Sequence, residues 1–134
     1  MGIELYWDDD EQTIMLCEFD RQWTWEELFA TLRDVQKVCA REQREIGAIL
    51  DLRRAEIPGG LLMNSTNMEN ARKMLEMGAN GTGPIVVVGV NPLIQSTYDM
   101  MQSMNGDSRA TENISFAPTM KRARAILAGK LPPL

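Results

Sequence analysis

The residues best placed to do chemistry lie at the end of the apolar run Ile46, Ala48, Ile49, Leu50 and Leu52. Asp51 is the one charge inside that run, Arg53 and Arg54 end it, Glu56 follows, and Pro58-Gly59-Gly60 leads on. Two guanidinium groups beside a glycine-containing turn that opens a helix are the ingredients of an oxyanion site. Arginine offers paired N–H donors, and a helix start offers backbone N–H groups without intrahelical partners. Gly89, Asn91 and Pro92 make a second helix start of the same kind. The candidate partner- or ligand-binding residues are therefore Arg53, Arg54, Glu56, Gly59, Gly60, Asn64 and Asn91. The plainer reading carries more weight: Arg53 and Arg54 are solvated or paired with Glu56, because one exposed ion pair specifies little. Neither Gly-Gly nor Asn-Pro is a phosphate-loop fingerprint.

Much chemistry is excluded. The 134 residues contain no histidine, which removes Ser-His-Asp, Cys-His and His-metal mechanisms. Cys17 and Cys39 are the only cysteines and lie far apart in the chain, so neither a disulfide framework nor a structural zinc site is expected. Both fall on inward-facing positions and read as buried thiols. Asp8-Asp9-Asp10-Glu11 lacks the alternating ligand spacing and the glycine of a calcium loop, so it reads as a solvated acidic turn. An enzyme would have to rely on Asp51, Glu56 or a cysteine, with no second group placed to help, so no catalytic residue, metal or cofactor is assigned. A net charge of −5 argues against general attraction to nucleic acid or to an anionic membrane. No segment reaches the roughly 18 apolar residues of a membrane span, and the acidic start MGIELYWDDD is unlike a signal peptide, which makes cytoplasmic the expected location.

Hydrophobic spacing sets out the elements that would hold these residues. Ile3, Leu5 and Trp7 alternate with Glu4, Tyr6 and Asp8, and Ile14, Leu16 and Glu18 alternate with Met15, Cys17 and Phe19, which predicts an antiparallel hairpin. Thr24 and Glu27 form a capping box that starts a helix at Trp25, with Trp23 and Leu28 as its hydrophobic staple. The two tryptophans could also make a ligand platform, but the staple is the safer assignment. Trp25, Leu28, Phe29, Leu32, Val35 and Cys39 share one face of that helix. A second helix is predicted from about Gly60 to Met77, with Leu61, Leu62, Ser65, Met68, Arg72 and Leu75 near one face and Gly78 just past its end. Pro84 to Val90 is a second fully apolar strand. Asn91-Pro92 opens a helix through Met104, Ile114 to Phe116 is a short edge strand, and Pro118 begins a last helix ended by Gly129. The order predicts one α/β domain over residues 1–129 with a tail at 130–134. Its mixed sheet has about five strands, an N-terminal antiparallel hairpin and then parallel crossovers, packed by about four helices.

That order, with Ile49-Leu50-Asp51-Leu52 running into the Ile57 to Leu62 turn and Val86-Val87-Val88-Gly89 into Asn91-Pro92, resembles the STAS domain of anti-sigma-factor antagonists and SpoIIAA-like proteins. The resemblance implies a regulatory domain whose partner is a protein, of the kind of a regulatory kinase or a sigma-system component. In that family the loop after the matching strand ends in a hydroxyl-bearing turn that is phosphorylated to switch off binding. Pro58-Gly59-Gly60 has no hydroxyl, so the phosphoserine switch is not expected here. Ten methionines, Met63, Met68, Met74, Met77, Met100, Met101 and Met104 among them, supply core and some adaptable surface. Lys121, Arg122, Arg124 and Lys130 make the last helix basic. An edge strand or the methionine-rich helix makes a homodimer plausible. The reading that emerges is a non-enzymatic protein-interaction domain, with a small-anion or nucleotide sensor on the same loops as the alternative.

Overall fold

The computed structural model describes residues 2–42, 44–56, 65–79, 83–89, 99 and 113–131. Five strands form one sheet whose spatial order repeats the chain order. They are β1 (Ile3–Trp7), β2 (Ile14–Phe19), β3 (Gly47–Asp51), β4 (Ile85–Val88) and β5 (Ile114–Ala117), with β1 antiparallel to β2 and every later pair parallel. Three helices are present among the described residues: α1 (Trp25–Glu42), α2 (Ser65–Ala79) and α3 (Met120–Lys130). The expected sheet is thus observed, with three helices rather than about four. The helix predicted from Asn91 to Met104 lies outside the described residues.

Side-chain alternation sorts the strands into two layers of core. Met15, Cys17, Phe19, Ala48, Leu50, Ile85, Val87 and Ile114 point to one face, where Leu28, Leu32 and Val35 of α1 and Ala71, Met74 and Leu75 of α2 cover them. Ile14, Leu16, Ile49, Val86, Val88 and Ala117 point to the other, against Met120, Ala123 and Leu127 of α3. With helices on both sides, β3 and β4 are buried along their whole length, which is why their sequences run apolar without alternation. β1 lies at the sheet's edge and keeps strict alternation: Ile3, Leu5 and Trp7 are half-buried, while Glu4 and Tyr6 are exposed.

The start of α1 is the predicted capping box. The Glu27 N–H donates to Thr24 Oγ1 at 3.1 Å, and the Thr24 N–H donates to Glu27 Oε1 at 3.2 Å. Trp23, Trp25 and Leu28 are all buried, so the pair of tryptophans is core, edge-on to each other at 4.9 Å. Trp25 Nε1–H donates to Asn67 Oδ1 at 3.1 Å and ties α1 to α2.

Two helix assignments need correction. In α2 the buried positions are Asn67, Ala71, Met74, Leu75 and Gly78, whereas Ser65 and Arg72 are exposed, so the packed face is rotated from the predicted one. Gly78 lies inside α2 rather than past its end, and a Cβ there would come within 3.1 Å of Ile85 and 3.2 Å of Ile114. Its absence lets the helix approach the sheet closely. The last helix is capped by Thr119, whose Oγ1 accepts from the Arg122 N–H at 3.1 Å, and it continues past Gly129 to Lys130. A side-chain oxygen can satisfy an N–H that Pro118 can only bypass.

Candidate functional site

The parallel register sets Glu18 of β2, Asp51 of β3 and Val88 of β4 side by side at the carboxyl ends of their strands, on the face that α3 covers elsewhere. Glu4 of β1 extends the row on the far side of Glu18. In an open α/β sheet this end is where connections leave and where sites form. Here the row carries three carboxylates on adjacent strands. Neighbouring strands lie about 4.8 Å apart, close enough for like charges to repel unless something neutralises them.

Arg53 neutralises the one on β3. Asp51 is 5 % exposed, and Arg53 reaches back two residues to grip both of its oxygens, Nε–H donating to Oδ1 at 2.9 Å and Nη2–H to Oδ2 at 2.8 Å. The backbone N–H of Arg53 adds a third bond to Oδ1 at 3.2 Å. These bonds, the Arg53 side chain first, hold the Asp51 carboxyl below its ordinary pKa against the opposing effect of burial. Glu18 is steadied differently: Tyr6 Oη–H donates to its Oε2 at 2.9 Å, and this bond together with burial pushes the phenol upward.

The chain turns at once after this grip. The Leu52 N–H still pairs with the Val88 carbonyl at 2.8 Å, and the Ala55 N–H donates back to the Leu52 carbonyl at 3.1 Å, leaving Arg53 and Arg54 at the tip of a bend. Gly89 supports the bend from behind. Its φ is +101°, and a Cβ there would meet the Arg53 backbone N at 3.0 Å, so glycine is required by conformation and by space. Beyond the bend, the Glu56 N–H donates to the Arg21 carbonyl at 3.0 Å, and Arg21 Nε–H donates to Glu56 Oε1 at 2.7 Å. The exit is thereby tied to the segment that follows β2.

Glu18, Asp51, Arg53 and Arg54 line an open depression of about 200 Å³. Of the predicted site residues, Arg53 and Arg54 fall in it, and Glu56 lies at the end of the same bend. Gly59, Gly60, Asn64 and Asn91 lie outside the described residues. Of the reading that the arginines are solvated or paired with Glu56, the Glu56 branch is corrected: Arg53 pairs with Asp51 and Glu56 with Arg21, while Arg54 is exposed and makes no ion pair with a described residue. The reason is geometric. Residues two apart in an extended segment share a face, so Arg53 is already beside Asp51, whereas Glu56 lies beyond the bend. Glu18 and Tyr6 were not predicted, and only the polar residue ending an otherwise apolar alternation marked Glu18.

Other groups with chemical potential are committed. Burial pushes the Cys17 thiol up to about 12, far from a nucleophile's range. Cys39 is half-buried, with Sγ 3.9 Å from the Ile46 carbonyl. Asp9 caps its own turn, accepting from the backbone N–H groups of Thr13 at 2.9 Å and Ile14 at 3.0 Å. Arg124 of the basic last helix forms a two-bond pair with Asp8 at 2.9 and 2.8 Å, and Lys130 Nζ donates to Ser115 Oγ at 2.9 Å. Among the described residues no group of acidic and cysteine side chains is arranged to hold a metal ion, and no helix is long and apolar enough to cross a membrane. No protein-family model matches the chain, and no curated protein matches it either.

Proposed function

We propose that this chain is a non-enzymatic, STAS-like interaction domain that docks a protein partner on the bend after β3, with Arg54 and the outer part of Arg53 as its contact groups and without a phosphoserine switch. The observation that carries this reading is the Asp51–Arg53 grip. It fixes one half-exposed guanidinium in a set direction on the end of a buried strand, so a partner meets an ordered surface and little side-chain entropy is lost on binding.

The same grip weighs against the small-anion or nucleotide sensor. Arg53 commits its Nε/Nη2 edge and its charge to Asp51, and Glu18 and Asp51 in the wall of the depression repel an anion, which leaves Arg54 as the guanidinium there without a paired carboxylate among the described residues. The resemblance to STAS antagonists supports a partner of the regulatory-kinase or sigma-system class.

The test is capture of partners from the native cell by wild-type protein and by Arg54→Glu, with a thermal-shift screen of phosphate, nucleotides and small carboxylates alongside. Specific partners are expected to be lost with Arg54→Glu, and the screen is expected to be flat. Partners unaffected by charge reversal at Arg53 and Arg54 would remove the bend from the docking surface. A ligand-dependent rise in melting temperature abolished in the double mutant would establish the sensor instead.

A further inference from the structure

The outer edge of β1 has its own chemistry. In an antiparallel pair, residues alternate between those that bond to the partner strand and those that point the other way. The Asp8 N–H bonds to the Ile14 carbonyl at 2.8 Å and the Asp20 N–H to the Gly2 carbonyl at 2.7 Å, which places the even-numbered residues of this hairpin in the bonded pairs. Ile3, Leu5 and Trp7 therefore turn their N–H and C=O groups outward, and no described strand pairs with that edge. On one face of the edge the side chains of Ile3, Leu5 and Trp7 are half-buried against the core; on the other, Glu4 is exposed and Tyr6 is 41 % exposed. Glu18 adjoins them on β2. The ion pairs among the described residues take other carboxylates and leave Glu4 and Glu18 in none; Glu18 shares its depression with Arg53, already matched to Asp51, and with Arg54, while Glu4 at the edge has no such neighbour in that lining.

We infer that β1 accepts an extended segment of a partner protein as a sixth strand, and that this segment alternates apolar and basic residues. Apolar side chains would lie beside Ile3, Leu5 and Trp7, basic ones beside Glu4 and Tyr6, and the backbone would satisfy the outward groups. Lysine or arginine next to Tyr6 gains a ring face as well as the Glu4 and Glu18 carboxylates. A second copy of this chain is the wrong occupant. Pairing β1 with β1 would gather Glu4 and Glu18 of both copies on one face with no cation between them, so the charge that blocks self-association selects a basic strand. This inference rests on the docking reading and names the chemistry of the partner's contacting segment.

Two short end-capped peptides test it, one alternating valine with lysine and one alternating valine with glutamate, each titrated against the full chain by fluorescence anisotropy. The lysine peptide is expected to bind, to slow hydrogen exchange at the Ile3, Leu5 and Trp7 amides, and to lose roughly tenfold in affinity with Glu4→Lys. Glu4→Lys is also expected to gain binding of the glutamate peptide, and Glu18→Gln to weaken the lysine peptide in the same direction. Equal binding of the two peptides, no binding of either, protection at other amides, or a β1-mediated dimer in light scattering would each overturn the inference. If Arg54→Glu abolishes partner capture while β1 binds no peptide, the docking reading stands and only the edge assignment falls. If β1 binds the lysine peptide while captured partners ignore Arg54, the bend is discarded and the edge retained.

Discussion

Asp51 stays ionised in a buried position, beside Glu18 on the next strand, because Arg53 surrounds it with donors. The ionic form is favoured in the fold, so Asp51 titrates lower folded than unfolded. Its stabilising contribution is present in full above the ordinary carboxylate pKa of about 4 and is lost as pH falls through the lower folded value. Arg53→Ala is therefore expected to cost roughly 2 kcal/mol near neutral pH, where it strands a buried carboxylate, and clearly less once the solution is acid enough to protonate Asp51. Urea denaturation at the two pH values checks this, and an equal loss at both would show that the pair adds nothing. Half of this pair was readable in the sequence. Asp51 stood out as the one charge in an apolar run, and the two-residue spacing to Arg53 is the strand's own period. What could not be read was Glu18 at the same level on β2, because a neighbour's register depends on how the whole sheet is stacked.

Among the elements, those with local signals were the legible ones. The Thr24–Glu27 box, the alternation of β1 and the β-branched run of β4 each depend on nearby residues and are found as expected. The packed face of α2 was misplaced because two of its buried positions, Ala71 and Gly78, are small residues with weak hydrophobic signals, and Gly78 is what allows the helix to lie close to β4 and β5. Close approach is a property of two surfaces, and spacing along one helix does not reveal it. At the start of α1, Thr24→Ala is expected to destabilise the protein by about 1 kcal/mol, the cost of leaving a helix N–H without its acceptor. The change should appear in the thermal or urea midpoint and be largely restored by Thr24→Ser. Failure of serine to rescue would point to the threonine methyl group instead.

At the scale of the molecule, the sheet divides two apolar layers, and among the described residues one layer has two helices and the other, thinner one has a single helix. α1 and α2 cover one side, and on the other α3 covers β3, β4 and β5 while leaving the carboxyl-end row from Glu4 to Asp51 to polar groups. Leu127 is fully buried in the thinner layer. Leu127→Ala is expected to cost about 3 kcal/mol and, with α3 the one described helix on that layer, to raise binding of a hydrophobic dye below the unfolding transition. A loss in stability with no dye response would show that α3 stays docked. The proposed likeness to STAS antagonists rests at this same scale, on element order and strand type.

Because each strand pairs with its neighbour in sequence, the sheet can be laid down in the order in which the ribosome delivers it. By the time Asp51 has emerged, β1, β2 and β3 can already be paired, and each later strand needs only one new crossover to close against an existing edge. Among the described strands, growth proceeds at the β5 side. The outer edge of β1 is consequently available from the first hairpin onward, so the charge of Glu4 guards it through synthesis as well as in the finished protein.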